Sequence, residues 1–238
     1  MNRLTILQKI IDKIGVKTYL EIGVQTGKII SQLKGAEKKI GVDPGFNYTM
    51  KVRVQKTMGL VKFKAIEVTS DKFFESYASK ILANGIDLAF VDGMHTYKQV
   101  LKDIENCLKY LNDEGIIVVH DCNPLNFASA YPVKNSISEV HEIANRGDLA
   151  GWNNAWHGDV WKAIAHLQIE HDDLKVFTLD LDCGLGVIAK GKNSKLSGFT
   201  IEQIQKEDYY FLERNRQVLL NLKAPKFIDE FLVNRNVV

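Results

Sequence analysis

Tyr19-Leu-Glu-Ile-Gly-Val-Gln-Thr-Gly27, followed by Lys28-Ile-Ile-Ser-Gln-Leu33, decides how the rest of the chain is read. A short apolar run ends in an acid, passes through a glycine-bearing turn and enters helical spacing. The glycines let the backbone turn sharply and approach a ligand closely. The helix that follows aims unsatisfied amides at the strand end, and Glu21 can hold an amine or a hydroxyl. A plain strand–helix turn carries the same local signature, so the other strand ends have to decide.

Outward from this stretch, apolar strands alternate with amphipathic helices. Upstream, Leu4, Leu7, Ile10, Ile11 and Ile14 recur at helical spacing as far as Gly15. Strands are expected at Thr18–Ile22, Lys39–Asp43, Val61–Val68, Ile86–Asp92 and Ile116–Val119, the last after a turn at Asp113-Glu-Gly115. Between them lie a helix to about Leu33, a helix and loop within 46–60, and a helix over Lys72–Ala83 capped by Thr69-Ser-Asp71. Thr96 caps the next helix, whose inner face is Val100, Leu101, Ile104, Leu108 and Leu111. The run Ile86-Asp-Leu-Ala-Phe-Val-Asp92 is continuous, as in a strand covered on both faces. This alternation with short connections implies an α/β fold with a doubly wound, mostly parallel sheet.

Residues 122–158 break the rhythm with Asn, Pro, Gly and aromatic residues, and a helix is expected around Ser136 to Ala144. An insertion of this size reads as a substrate-facing lid. Helical spacing resumes over Asp159–Leu167. Leu174–Leu179 and Leu185–Ala189 then read as a hairpin-like pair of strands around Asp182-Cys-Gly184. A capping box (Thr200, Gln203) opens one long helix that Pro225 stops, and an amphipathic tail follows with Phe227, Ile228, Phe231 and Leu232. The expected organisation is a domain over 1–195 and a C-terminal helical extension over 196–238. The tail's apolar face has to pack on the domain or on a second copy, which leaves a homo-oligomer through the C-terminal helices open.

The formal net charge of +2 advertises neither nucleic acid nor an acidic membrane as a partner. No apolar run is long enough to span a bilayer, and the start lacks a signal peptide's apolar stretch and cleavage site. Cys107, Cys122 and Cys183 show no CxxC spacing and suit a reducing compartment, with the cytoplasm as default.

Polar residues gather at the carboxyl ends of the five strands: Glu21, Asp43, Ser70 with Asp71, Asp92, and His120 with Asp121. In an open α/β sheet that edge binds ligands. Asp43 is placed to accept both ribose hydroxyls of a nucleotide-like ligand, although Asp43-Pro-Gly is also ordinary turn chemistry.

Glu21-Ile-Gly-Val-Gln-Thr-Gly27 is similar to motif I of class I S-adenosylmethionine-dependent methyltransferases, departing from it only in Gln25 at the middle glycine. The Gly-x-Gly-x-x-Gly of dinucleotide enzymes is not met. The resemblance sharpens in Val91-Asp-Gly-Met-His-Thr-Tyr97, Asp103 and Gly115-Ile-Ile-Val-Val-His-Asp121. These resemble the methyltransferase group with Val-Asp-Gly-x-His-x-Tyr after strand four and His-Asp after strand five, which includes O-methyltransferases of sugars and natural products. The likeness covers roughly residues 15–125, with weaker support from His157-Gly-Asp-Val-Trp161. It implies a seven-stranded Rossmann-like sheet with an antiparallel seventh strand and S-adenosylmethionine as cofactor. It further implies a binding loop of Gly23, Gln25, Thr26 and Gly27, with Glu21 acting on the methionine amino group through that loop. Asp43 is implied at the ribose, Ser70 and Asp71 at the adenine, and Asp92 at the methionine side. The acceptor is expected to be a small molecule such as a sugar or glycan unit.

Methyl transfer to a hydroxyl needs in-line positioning and a base, a metal, or both. His95, in the loop after strand four, is the first choice for the base, with a loop-ordering histidine as the bland alternative. Asp92 and Asp121 complete the catalytic set. Asp92, Asp121 and Asn123 form an oxygen set suited to Mg²⁺. The related metal-dependent enzymes carry an adjacent Asp-Asn pair, which Cys122 interrupts here. His120 is expected to face the sheet packing, and His157 and Asp159 are candidates for the acceptor pocket. Trp152, Trp156 and Trp161 suit either acceptor stacking or lid packing. His166 and His171 are expected at the surface. Asp121-Cys-Asn-Pro-Leu-Asn-Phe127 only faintly resembles the Asn-Pro-Pro-Tyr motif of amino-methylating enzymes, and it follows the wrong strand. The rivals are an S-adenosylmethionine-binding protein without transferase activity and an NAD-dependent oxidoreductase.

Overall fold

The side chain of Asn2 accepts the N–H of Thr5 and opens α1 (Arg3–Ile14), which Gly15 closes in the left-handed region. The computed structural model describes residues 1–133, 137–192 and 195–234. After α1 come β1 (Thr18–Ile22), α2 (Lys28–Gln32), β2 (Lys38–Asp43), α3 (Met50–Thr57), β3 (Lys64–Glu67), α4 (Ser70–Ser76), α5 (Ala78–Ile81), β4 (Ile86–Val91), α6 (Tyr97–Tyr110) and β5 (Leu111–Val119). The remaining elements are α7 (Ile137–Asn145), α8 (Trp161–Glu170), β6 (Leu174–Leu179), β7 (Leu185–Lys190), α9 (Ile201–Lys206), α10 (Tyr209–Leu219), β8 (Leu222–Lys223) and α11 (Phe227–Asn234).

The chain divides into two compact units. The first comprises Met1–Gly93, Lys102–Val118 and Ile228–Val238. Its strands run in the order β3-β2-β1-β4-β5, and the pairs β2–β3, β1–β2 and β1–β4 are parallel. Strand order therefore reverses between β1 and β4, the place where an open α/β sheet forms its ligand crevice. β1 is buried at every position, as a central strand with both faces covered must be. α11 belongs to this unit and buries Ile228, Phe231 and Leu232 within the chain, each contributing about 1.5–3 kcal/mol. Lys9 and Asp229 form an ion pair at 2.7 Å across α1 and α11.

The second unit comprises Met94–Leu101 and Val119–Phe227. Here β6 pairs antiparallel with β7 and parallel with β8. The insertion has its own apolar core of Ala128, Val140, Leu149 and Trp156, with Trp152 packed against it. Trp161 on α8 is fully buried. The tryptophans thus serve packing.

Several boundaries differ from expectation. The third strand begins at Lys64, not Val61, and only Ile66 of its residues is buried, so little holds its upstream end in the sheet. Tyr77, at φ −124° and ψ −30°, divides the expected Lys72–Ala83 helix into α4 and α5. β5 starts at Leu111, through the expected turn. The long C-terminal helix is two, because Asp208 takes an extended backbone and accepts the N–H groups of Tyr210 and Phe211 as a new cap. β8 adds an eighth strand to the expected seven among the described residues. α7 falls where a helix is expected, with Ser136 outside the described residues. His166 is buried rather than at the surface, with Nδ1 2.6 Å from the Tyr97 hydroxyl and Nε2 2.8 Å from Glu170. Among the described residues no helix is long and apolar enough to cross a membrane.

Candidate active site

In the first unit, the end of β1 is pinned from three directions. Gly23 donates its N–H to Val42 O at 3.0 Å, and Asp92 donates to Ile22 O at 2.8 Å. Gly23 has φ +86°, and a Cβ there would lie 2.0 Å from the Asp92 carbonyl oxygen. Only glycine fits, because the turn takes a left-handed conformation while touching the end of β4. Asp43 then organises the loop: Oδ2 accepts the Gln25 N–H and Oδ1 accepts the Gly45 N–H, each at 2.8 Å. Asn47 N–H to Gln25 O (2.9 Å) and Thr49 N–H to Thr26 O (3.2 Å) tie the loop down further. Gln25 has φ +43° and an exposed side chain. Replacing the motif's middle glycine is tolerated because the side chain leaves the turn for solvent.

Glu21 does not face a ligand directly. It is 1% exposed and accepts the Tyr19 hydroxyl at 2.5 Å. Burial raises its pKa to about 8, against the Tyr19 hydrogen bond, and the negative charge of Asp92 pushes it further up. The Ile30 amide and the Lys39 ammonium pull the other way. Glu21 therefore acts on α2 and the loop. Asp71, in the first turn of α4, pairs with Lys102 at 2.7 Å with both partners about half exposed, an interaction worth less than about 1 kcal/mol. Ser70 is the first residue of α4, behind the Thr69 cap.

Tyr48 escapes a reading of the sequence. Its hydroxyl is buried without a hydrogen-bond partner among the described residues. Burial, with Glu67 and Asp43 adding to it, pushes its pKa up to about 12. It stays protonated at neutral pH and offers a donor beside the carboxylate expected to hold a ribose. Its ring also packs where a Cβ on Gly27 would be. A buried donor lacking an acceptor, together with a glycine turn and a carboxylate, fits a nucleoside-bearing cofactor.

In the second unit, Asp121 is the hub. His95 Nδ1 lies 2.9 Å from the Trp156 carbonyl oxygen and 3.2 Å from Asp121 Oδ2. Both neighbours are acceptors, so Nδ1 carries a proton, and the neutral tautomer that fits this hold has its lone pair at Nε2. The ring also stacks on Trp156, with centroids 5.5 Å apart. Asp121 Oδ1 lies 3.0 Å from His120 Nδ1 and 3.8 Å from His157 Nε2. His120 therefore joins the cluster instead of the sheet packing. Strand alternation ends with β5 at Val119, and Asp121 turns the chain at φ +62°. Burial lowers the pKa of His157 against the pull of Asp121, with His120 and His95 lowering it further. Asp159 is drawn to the Tyr97 amide at 2.6 Å, in the first turn of α6, and serves as a cap.

Asn123 is engaged by two side chains. Its Oδ1 accepts from the Arg216 guanidinium, and its Nδ2 donates to Asp180 at 3.1 Å. The guanidinium thus uses one lone pair of the carbonyl oxygen. The backbone explains the commitment: Asn123 N–H donates to Cys183 O (2.7 Å) and Cys122 N–H to Gly184 O (3.1 Å). A Cβ on Gly184 would come within 2.4 Å of the Asn123 nitrogen. This close approach brings Cys183, about sixty residues away in sequence, beside Asp121 with no local motif to announce it. Asp121, Asp182 and Cys183 all adopt positive φ (62°, 49° and 62°), a strain of about 1 kcal/mol each that concentrates at functional sites.

Comparison with known proteins bears on the fold and on the matched span. A family model described as a methyltransferase domain matches residues 20–122, the stretch that holds the glycine turn, Asp43, Asp92, His95 and Asp121. An uncharacterised protein, R132, of Acanthamoeba polyphaga mimivirus is 34% identical over 113 residues, covering 44% of this chain and 51% of that protein. The chain thus spans about half the length of that curated relative. Among solved structures, a candidate caffeoyl-CoA O-methyltransferase from Staphylococcus aureus superposes with TM-score 0.53 at 18% identity, covering 80% of this chain and 85% of the other. A candidate O-methyltransferase from Klebsiella pneumoniae gives TM-score 0.50 at 14% identity, over 79% and 78%. At such identities the structural likeness speaks for the fold. The methyltransferase-domain model thus matches residues 20–122, and the chain shares the α/β fold of these two structures.

Proposed function

We propose that this protein transfers a methyl group from S-adenosylmethionine to a hydroxyl of a small molecule, with a sugar or glycan unit as the favoured class of acceptor. The observation that carries the proposal is the hold on His95: Nδ1 points at two acceptors, Trp156 O and the Asp121 carboxylate, which makes Nε2 the basic atom. S-adenosylmethionine, when bound, supplies an electrophilic methyl group on a sulfonium. Asp43 accepts the ribose hydroxyls with lone pairs beyond the two used by Gln25 and Gly45. Tyr48 donates to an oxygen of the same nucleoside. His95 Nε2 would take the acceptor's hydroxyl proton as the methyl passes from sulfur to oxygen, the S–C bond breaking and S-adenosylhomocysteine leaving. Asp121 keeps the ring in the correct tautomer and stabilises the imidazolium that results, the role an aspartate plays beside a catalytic histidine.

The test is methyl transfer from isotopically labelled S-adenosylmethionine to a panel of sugars and glycan fragments by wild type and His95→Ala. The variant is expected to lose at least about 100-fold in turnover, the usual worth of a general base, with affinity for S-adenosylhomocysteine within about twofold of wild type. Undiminished turnover in His95→Ala would remove the base assignment.

A further inference from the structure

Around Asp121 the structure gathers donors that an oxygen-only cation site would not need. Asp121, His157 and Cys183 each offer one ligand atom, and the three atoms lie within 4.8 Å of one another. All three belong to the second unit. His157 is 4% exposed, its Nε2 is turned toward Asp121 at 3.8 Å, and its Nδ1 is buried with no hydrogen-bond partner among the described residues. A buried imidazole with one nitrogen facing a carboxylate and the other left unpaired is unusual in a folded core, where buried polar atoms are paired.

We propose that Asp121, His157 and Cys183 bind a divalent transition-metal ion of the zinc type. The donor set decides the class. A thiolate and an imidazole select zinc, cobalt or a similar borderline ion, whereas Mg²⁺ and Ca²⁺ take oxygen ligands almost exclusively. In a tetrahedral site with bonds of about 2.0–2.3 Å, ligand atoms stand roughly 3.3–3.7 Å apart, so the present cluster needs only a contraction of about 1 Å. Three protein ligands leave a fourth position for water or another oxygen, the arrangement of catalytic rather than structural zinc. His120 Nδ1, at 3.0 Å from Asp121 Oδ1, and His95 hold the ligating carboxylate in place, as outer-shell partners of metal ligands do. Binding displaces the Cys183 thiol proton to solvent. The proposal stands whether or not the protein transfers methyl groups, because it rests on the ligand atoms alone.

Metal-stripped protein should be titrated with Co²⁺ and followed by absorption. One equivalent is expected, with the near-ultraviolet charge-transfer band of thiolate ligation and the visible bands of a tetrahedral ion. Zn²⁺ should displace Co²⁺, and Mg²⁺ in large excess should not. Cys183→Ser should lose the charge-transfer band and weaken Zn²⁺ binding by at least about tenfold, while Cys107→Ala, at a buried cysteine outside the cluster, leaves both unchanged. Circular dichroism checks the folding of each variant. Should Cys183→Ser fail to fold, the wild-type spectrum decides by itself: stoichiometric Co²⁺ with a thiolate band supports the site. Absence of that band, or equal Zn²⁺ affinity in folded Cys183→Ser, overturns it.

Discussion

Replacing Glu21 by Gln should make the protein's stability less sensitive to alkali. In the folded chain the Glu21 carboxyl is raised from its ordinary value of 4.5 to about 8, chiefly by burial. The folded state therefore keeps a proton that the unfolded state gives up. The corresponding stability is fully present below pH 4.5 and is lost as pH rises through about 8. Each pH unit between those two values is worth about 1.4 kcal/mol, so the loss from Glu21 between about pH 5 and about pH 8 is on the order of 3 kcal/mol. Gln keeps the shape of the neutral acid and can still accept the Tyr19 hydroxyl, so it should carry no such penalty. Urea unfolding of both proteins across this range should show the difference between them moving by about 3 kcal/mol in favour of Gln as pH rises. A difference that stays constant with pH would mean that Glu21 is ionised in the folded protein, and the view of it as a protonated buttress beneath the glycine turn would fall.

Two further outcomes follow from the same end of the sheet. Gly23→Ala pushes a Cβ into the Asp92 carbonyl at a left-handed position, and a loss of about 2–4 kcal/mol in urea unfolding is expected, together with loss of S-adenosylhomocysteine binding; an alanine variant of wild-type stability would contradict the packing described. Tyr48→Phe removes a buried hydroxyl that lacks a partner, so the ligand-free protein should be as stable as wild type or more so, while affinity for S-adenosylhomocysteine falls about 3–10-fold. Calorimetry and thermal unfolding separate the two effects, and lowered stability with unchanged affinity would show that Tyr48 serves the fold alone.

How much of the molecule is legible in the sequence depends on the range of the interactions. β1 is legible residue for residue, because Thr18–Ile22 is a short, largely apolar run between Gly15 and Gly23. Asp43 stands out because its position follows from the βαβ spacing of the whole fold class. Interruptions governed by a single backbone leave no such trace: Tyr77 and Asp208 sit inside patterns whose apolar spacing continues on both sides. Tyr48 carries no sequence signal beyond its nearness to Asp43, since what marks it is an unsatisfied hydroxyl. The cluster around Asp121 is half visible. His95 and Asp121 lie in strand-end motifs, whereas Cys183 arrives through backbone pairing with residues 122 and 123, a contact that only the folded chain creates. The pairing of Asn123 with Arg216 is illegible for the same reason, because Arg216 on α10 reaches its carbonyl from a distant part of the sequence.

Thermal unfolding with S-adenosylhomocysteine, NAD and NADP, each tested alone, goes straight to whether the end of β1 binds a sulfonium cofactor. At about 100 times its dissociation constant a ligand adds about 2.7 kcal/mol to stability, or a rise of roughly 5–10 °C in Tm for a chain of this size. A rise of that size with S-adenosylhomocysteine and none with either dinucleotide is the predicted result. Stabilisation by NAD or NADP alone, with no response to S-adenosylhomocysteine, would contradict it.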